Sequence, residues 1–338
     1  MIFWELKKIF KSKAGIIVLA MFILLSISMI FVKPVLEIEN YSRNDKYELI
    51  KDTRPEKEIA QEKLNKKISQ LKEMSKIDGK DSFSNKIREL SIEKLKSIKS
   101  TDYKDVSFFK VYNHRASHPL MGVIIVMIIV LIFSNIYTDE IVSGVDNMIL
   151  SSKNKFSVLN SKLVLSIVLP ILLYGLYLGI QYIVTIMQYG MPVNGGLEAF
   201  RIIDAGSLLN GNFTIAGYIV LKILIMTTIF ISISVFASLF SFTTNNSLSS
   251  ISGIIIFIVF GKICTVMSFL PGALLQVLNN INYVNIIFMP EQFIGMYGGE
   301  VNIIGKNIEI ISLCNVLLVA ILLIGISFCL YRFKKINK

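Results

Sequence analysis

Charge is the scarcest ingredient of this 338-residue chain: Asp, Glu, Lys and Arg make up 17%, against 53% hydrophobic residues. A soluble domain carries about 25% charged residues, so an ordinary water-soluble globule is excluded. Histidine is almost missing as well. The two present, His114 and His118, share one short stretch interrupted by Pro119, which leaves no His-centred triad and too few ligands for a metal. Cys264, Cys314 and Cys329 all lie in apolar runs without a C-x-x-C spacing, so they read as small buried hydrophobes and not as a disulfide framework. No HExxH or GxSxG occurs. The nearest approach to a phosphate loop, Gly299 to Asn307 (GEVNIIGKN), has five residues between its glycines and ends on Asn, where four and a Ser or Thr are needed. Arginine is rare too, 6 residues against 29 lysines, so the net charge of +11 reads as a compositional habit. With no basic groove or reading motif, nucleic acid is not an expected partner.

What charge there is sits in one place. Residues 33–118 hold 20 of the 35 Lys and Arg and 15 of the 24 Asp and Glu. The rest is apolar, and the mean hydropathy of the whole is +0.62. A hydrocarbon core of about 30 Å needs about 20 apolar helical residues, and six nearly charge-free runs approach or exceed that length: 14–32, 119–137, 163–187, 215–240, 249–270 and 310–333. The expected fold is an all-α membrane protein with six transmembrane helices. Basic residues before the first run (Lys7, Lys8, Lys11, Lys13), between the second and third (Lys153, Lys155, Lys162) and at the end of the sixth (Arg332, Lys334, Lys335, Lys338) predict that those segments are cytoplasmic. The chain is then a multi-pass protein of the cell membrane with both termini inside. Residues 33–118, about 188–213 and about 271–309 fall outside.

Residues 1–13 read as an amphipathic surface helix. Ile2, Phe3, Leu6, Ile9 and Phe10 recur at helical spacing opposite Glu5, Lys7, Lys8 and Lys11, with Trp4 as interfacial anchor, as a helix lying on a bilayer requires. The insert reads as a helical hairpin, with Ile59, Leu64, Ile68, Leu71 and Met74 on one arm and Ile87, Leu90, Leu95 and Ile98 on the other, joined at Asp78-Gly79-Lys80. So few large apolar residues make a thin core that needs support. Within the runs, Lys222 and Lys262 either snorkel to the outer headgroups or line a path for an anionic or zwitterionic substrate.

The stretch 138–162, after the second run, is too patterned for a linker. Asp139 and Glu140 stand at one end, Gly144 in the middle, and Lys153, Lys155 and Lys162 at the other. Ile141, Val145, Met148 and Ile149 form an apolar stripe, as on a helix that docks onto another protein. On these residues the chain resembles the permease subunits of bacterial type-2 ATP-binding-cassette (ABC) exporters. In that family this loop carries an E-x-x-S-G element, a Leu-Ser step, basic residues and a Lys opening the next span; here those are Glu140, Ser143, Gly144, Leu150, Ser151, Lys155 and Lys162. The surface helix, the six runs and the prolines of the outer segment, Pro271 and Pro290, extend the resemblance over most of the chain. Val145 stands where a Thr is common, and no Pro follows Ser151 or Ser152.

The resemblance implies a transport subunit that is not itself an enzyme, with ATP and Mg held by two copies of a separate ATPase. A second permease copy or a sister permease completes the pore. Asp139, Glu140, Ser143, Gly144, Val145, Met148, Leu150, Lys153 and Lys155 would then seat on the ATPase. With the second and fifth spans lining the path, Asn135, Ser252 and Phe257 join Lys222 and Lys262 as candidates for it. The expected cargo is an amphiphile such as an antimicrobial peptide, a drug or a lipid-like molecule, because the spans carry no Asp or Glu cluster for a dehydrated cation. Sodium or cation efflux, or a sensory protein working through its outer domain, are the alternatives.

Overall fold

The computed structural model describes residues 2–43, 49–77, 81–267, 269–303 and 305–335. The expected hairpin turn at Asp78-Gly79-Lys80 and the terminal Lys338 lie outside them. The chain opens with α1 (Ile2–Lys11) and α2 (Lys13–Ser28), which meet at 80°. Ser12 makes the elbow: its hydroxyl accepts from the Gly15 amide at 3.0 Å and donates to the Ile9 carbonyl at 2.7 Å. A Cβ on Gly15 would lie 2.1 Å from the Ile9 carbonyl oxygen, so only glycine permits this approach. The short β1 (Tyr41–Arg43) and β2 (Leu49–Lys51) pair antiparallel, and α3 (Glu56–Met74) and α4 (Ser82–Ser97) form the insert's hairpin. Then come α5 (Ser107–Ala116), α6 (Pro119–Phe133), α7 (Thr138–Val142), α8 (Asp146–Ser151), α9 (Lys155–Tyr189), α10 (Ile215–Thr243) and α11 (Ser247–Cys264). After α12 (Gly272–Ile281), α13 (Tyr283–Phe288) and α14 (Pro290–Phe293), a hairpin of β3 (Glu300–Ile303) and β4 (Lys306–Glu309) leads to α15 (Ile310–Lys335).

Among the described residues, five stretches are long and apolar enough to cross a membrane: Ser107–Val142, Lys155–Tyr189, Ile215–Thr243, Ser247–Cys264 and Ile310–Lys335. The bent pair of α1 and α2 makes a sixth if counted as one span. The protein is therefore a mostly helical, multi-pass membrane protein. The boundaries differ from those of hydropathy. The second span begins early because α5 is buried, its Arg115 donating to the Ile30 and Val32 carbonyls beyond α2 and to Gln188 and Thr185 of α9. Tyr174 and Tyr177 of α9 donate to the Ala116 and Arg115 carbonyls at the break before α6. At 35 residues, α9 is about 52 Å long, well beyond the hydrocarbon thickness. By contrast α11 stops at Cys264, and α12 and α13 fold back into the bundle: the Tyr283 hydroxyl lies 2.6 Å from the Ser232 hydroxyl of α10 and its ring 5.3 Å from Phe257 of α11. The helices of segment 271–309 thus pack against α10 and α11.

Three separate segments build one end of the molecule. Leu64, Ile68 and Leu71 of α3 bury together with Phe200 from the loop between α9 and α10, so the thin core of the insert is completed by the chain itself. Glu37 anchors it: its carboxylate accepts from Lys110 of α5 at 2.6 Å and Lys67 of α3 at 3.1 Å, and Lys67 also donates to the Arg201 carbonyl at 2.8 Å. Burial pushes the Glu37 carboxyl up, but the Lys67 and Lys110 ammoniums outweigh it and hold it below its ordinary value of 4.5. The contribution is present above that value and is lost as pH falls through the lowered one. Glu37→Gln leaves two buried ammoniums without their carboxylate, and we expect a loss of about 3 kcal/mol. Thermal unfolding in detergent should show this at pH 7, with the gap between variant and wild type closing toward pH 3.

Candidate functional site

The opposite end, where the elbow lies, gathers charge that is kept out of water. At the end of α6 the chain steps out of helix, and the amides of Tyr137 and Thr138 would be orphaned at the start of α7. Both donate to the Ser241 hydroxyl of α10, at 3.0 and 3.2 Å. The far end of α7 closes in a Schellman turn: the Val145 amide donates to the Glu140 carbonyl and the Gly144 amide to Ile141, both at 3.0 Å, with Gly144 at φ +69°. That left-handed position is the physical reason for a glycine in Glu140-Ile-Val-Ser-Gly144. The Ser143 hydroxyl donates to the Asp139 carbonyl at 2.7 Å, securing the same turn. One docking helix was expected over the stripe Ile141, Val145, Met148 and Ile149; the structure has two short ones, broken at Gly144.

Glu140 and Lys162 meet behind this turn. The Lys162 ammonium, on α9, is fully buried and spends its three protons on Glu140 Oε1 at 2.8 Å, Glu5 Oε2 at 2.9 Å and the Ile136 carbonyl at 2.9 Å. Lys8 donates to the same Glu140 oxygen at 2.8 Å. One ionic cluster therefore ties α1, the α6–α7 junction and α9. It also brings Glu5 of α1 to the side of the helix that meets the body. Glu5, Leu6 and Ile9 face the body, while Phe3, Trp4, Lys7, Lys8 and Phe10 are exposed; the Lys7 ammonium lies 5.5 Å from the Trp4 ring centre. In front of the cluster, Val142, Val145 and Met148 are exposed, Met148 to 72%. Asp139, Lys153 and Phe156 are exposed beside them, and Leu150 and Lys155 are half-buried. The outcome is a surface with apolar side chains outward and an ion-paired back.

The five path candidates do not converge. Asn135 donates to the Leu131 carbonyl of its own helix and lines a cavity of about 60 Å³ beneath the elbow. Phe257 packs inside the subunit, its ring 4.2 Å from that of Phe236. Lys222 neither snorkels nor lines an open surface: it is fully buried, donating to Glu291 Oε1 and the Ser117 hydroxyl at 3.1 Å each. Lys262 lies in the last turn of α11, exposed, donating to Asn285 Oδ1 at 3.1 Å; the early end of α11 moves it from past the middle of a span to a helix terminus. Ser252 is exposed near the start of the same helix. Among the described residues no group of three or more His, Cys, Asp or Glu side chains is placed to hold a metal.

Sequence reading missed Glu5, Glu291 and the burial of Lys162. A lone acid and a lone base at the ends of adjacent apolar runs, Glu140 and Lys162, are the usable signal; Glu5 looked solvated because its partner is 157 residues away. Lys162→Met should cost about 3 kcal/mol by leaving buried carboxylates short of a counter-charge. Pairing it with Glu140→Leu should recover most of the loss, since a neutral pair needs no compensation, and unfolding midpoints of the single and double variants in detergent will show the non-additivity. No protein-family model, curated protein or solved structure matches the chain, so a functional reading rests on its own residues and geometry.

Proposed function

We propose that this chain is the membrane-spanning subunit of an ABC exporter, which couples ATP hydrolysis by two separate ATPase subunits to efflux of an amphiphilic molecule. The observation that carries the reading is the Val142, Val145 and Met148 surface, exposed in front and braced behind by Glu140 and Lys162. A force applied there passes through the ionic cluster to α6, α9 and α1 without first bending a loose loop. ATP and Mg belong to the partner. A second copy, or a sister permease, covers the exposed face of α11 that carries Ser252, Ile256 and Val259.

The elbow end carries Lys7, Lys8, Lys11, Lys13, Lys153, Lys155, Arg332, Lys334 and Lys335, which supports a cytoplasmic placement with the insert outside the cell. In that orientation the exposed Trp4, Phe3 and Phe10 of α1 lie in the inner interface, with its lysines at the headgroups.

The tagged chain, purified from its native host in mild detergent, should carry a roughly stoichiometric ABC ATPase by mass spectrometry. Met148→Asp, at a side chain with no internal partner to lose, should cut that recovery at least tenfold at unchanged membrane level; an ATPase that is never recovered, or is equally retained by the variant, refutes the assignment. The native cysteines are buried, so a single cysteine at exposed Lys57 reports on topology. Labelling by an impermeant maleimide in whole cells is the expected result, and protection until lysis would reverse the orientation.

A further inference from the structure

At the insert end, the break between α5 and α6, the 204–208 loop, α14 and the turn at 296–298 enclose a cavity of about 640 Å³. Its volume lies within the range of small-molecule sites, and Met289, Met296 and Ile311 give it an apolar wall in which the methionines can adapt to different shapes. The polar wall is formed by Glu291 together with Ser117 and the His114 and His118 imidazoles. The Glu291 carboxylate is 47% exposed and gives only Oε1 to Lys222; among the described residues Oε2 has no hydrogen-bond partner. Lys222 itself is out of reach, fully buried, with its ammonium on the Ser117 hydroxyl and 5.2 Å from the Tyr218 ring centre. At the rim Asp204 is 92% exposed, its nearest cation being Lys67 at 4.0 Å.

We infer that this cavity is a binding site for an amphiphile bearing a protonated amine. An entering molecule meets carboxylate oxygen at Asp204 and again at Glu291, while the nearby Lys222 is shielded behind Glu291. An anion would be repelled at both points, and a neutral amphiphile would find the apolar wall but leave Glu291 Oε2 unused. The buried Lys222 also fixes the carboxylate in place before any ligand arrives, which lowers the ordering cost of binding. Because Lys222 is on α10 and Glu291 on α14, a ligand ammonium that shares the carboxylate weakens the bond between those helices. Occupancy of the cavity is thereby felt by a span. The inference takes nothing from the proposed coupling to an ATPase and is tested on this chain alone.

The test uses the full chain in nanodiscs of zwitterionic phosphatidylcholine, titrated calorimetrically with octylammonium, octyl glucoside and octanoate, with empty nanodiscs subtracted. Octylammonium should bind saturably and at least tenfold more tightly than octyl glucoside, and octanoate more weakly than either. In K222M/E291Q, which removes both members of the pair and leaves no buried charge stranded, the preference for the amine should vanish at an unchanged unfolding midpoint. E291Q alone should lose the same preference even if it is less stable. Equal binding of the three probes, non-saturable uptake, or an amine preference that survives in the double variant would overturn the site.

Discussion

A lysine ammonium held wholly out of water organises the elbow end of this protein. Lys162 is tolerable there because each of its protons has an acceptor, two of them carboxylates. Remove both carboxylates and an unpaired charge remains in a low-dielectric site, which is far more costly than never having had the cluster. The cluster is therefore a constraint on geometry more than a source of net stability. It dictates where α1 lies, which way its faces turn, and how the α7 turn is presented.

The same device recurs at the other end in two forms. Glu37 draws Lys67 and Lys110 together, so the insert is fastened to the helical body by a carboxylate between α3 and α5. Lys222 and Glu291 join α10 to α14, and this pair borders the large cavity of that end. A chain poor in charge places some of it in links between elements that are distant in sequence. In the proposed reading such links are useful: each is stiff in one arrangement and would have to be exchanged, not merely stretched, for the helices to move.

Backbone breaks carry as much of the design as charges do. The chain leaves helix at Ser12, between α5 and α6, between α6 and α7, and at Asn282, and at each place a side chain meets the stranded amides or carbonyls: Ser12, the tyrosines of α9, Ser241, and the Asn282 side chain, which accepts from the Asn285 amide at 2.8 Å. Such partners are obligatory where water is scarce, since an unmatched amide or carbonyl costs more there than at a surface. They explain why polar residues recur in helices whose composition is otherwise apolar.

Much of the architecture was legible in the chain itself. Hydropathy runs locate the helices because burying an apolar face is a local, additive property of composition, and the helical hairpin of the insert follows from spacing in the same way. The Glu140 to Gly144 element was visible too, although its meaning as a Schellman turn needed the φ of Gly144. What composition could not decide was partnership. Glu5 with Lys162, Glu37 with Lys110 and Lys222 with Glu291 are separated by 157, 73 and 69 residues, and no periodicity links residues so far apart. The long-range contacts of Arg115 with the Ile30 carbonyl and of Tyr283 with Ser232 were equally out of reach of periodicity. Sequence determined which segments prefer to leave water; tertiary structure decided which charges left with them, because a buried ion is stable only where the fold supplies its counter-charge.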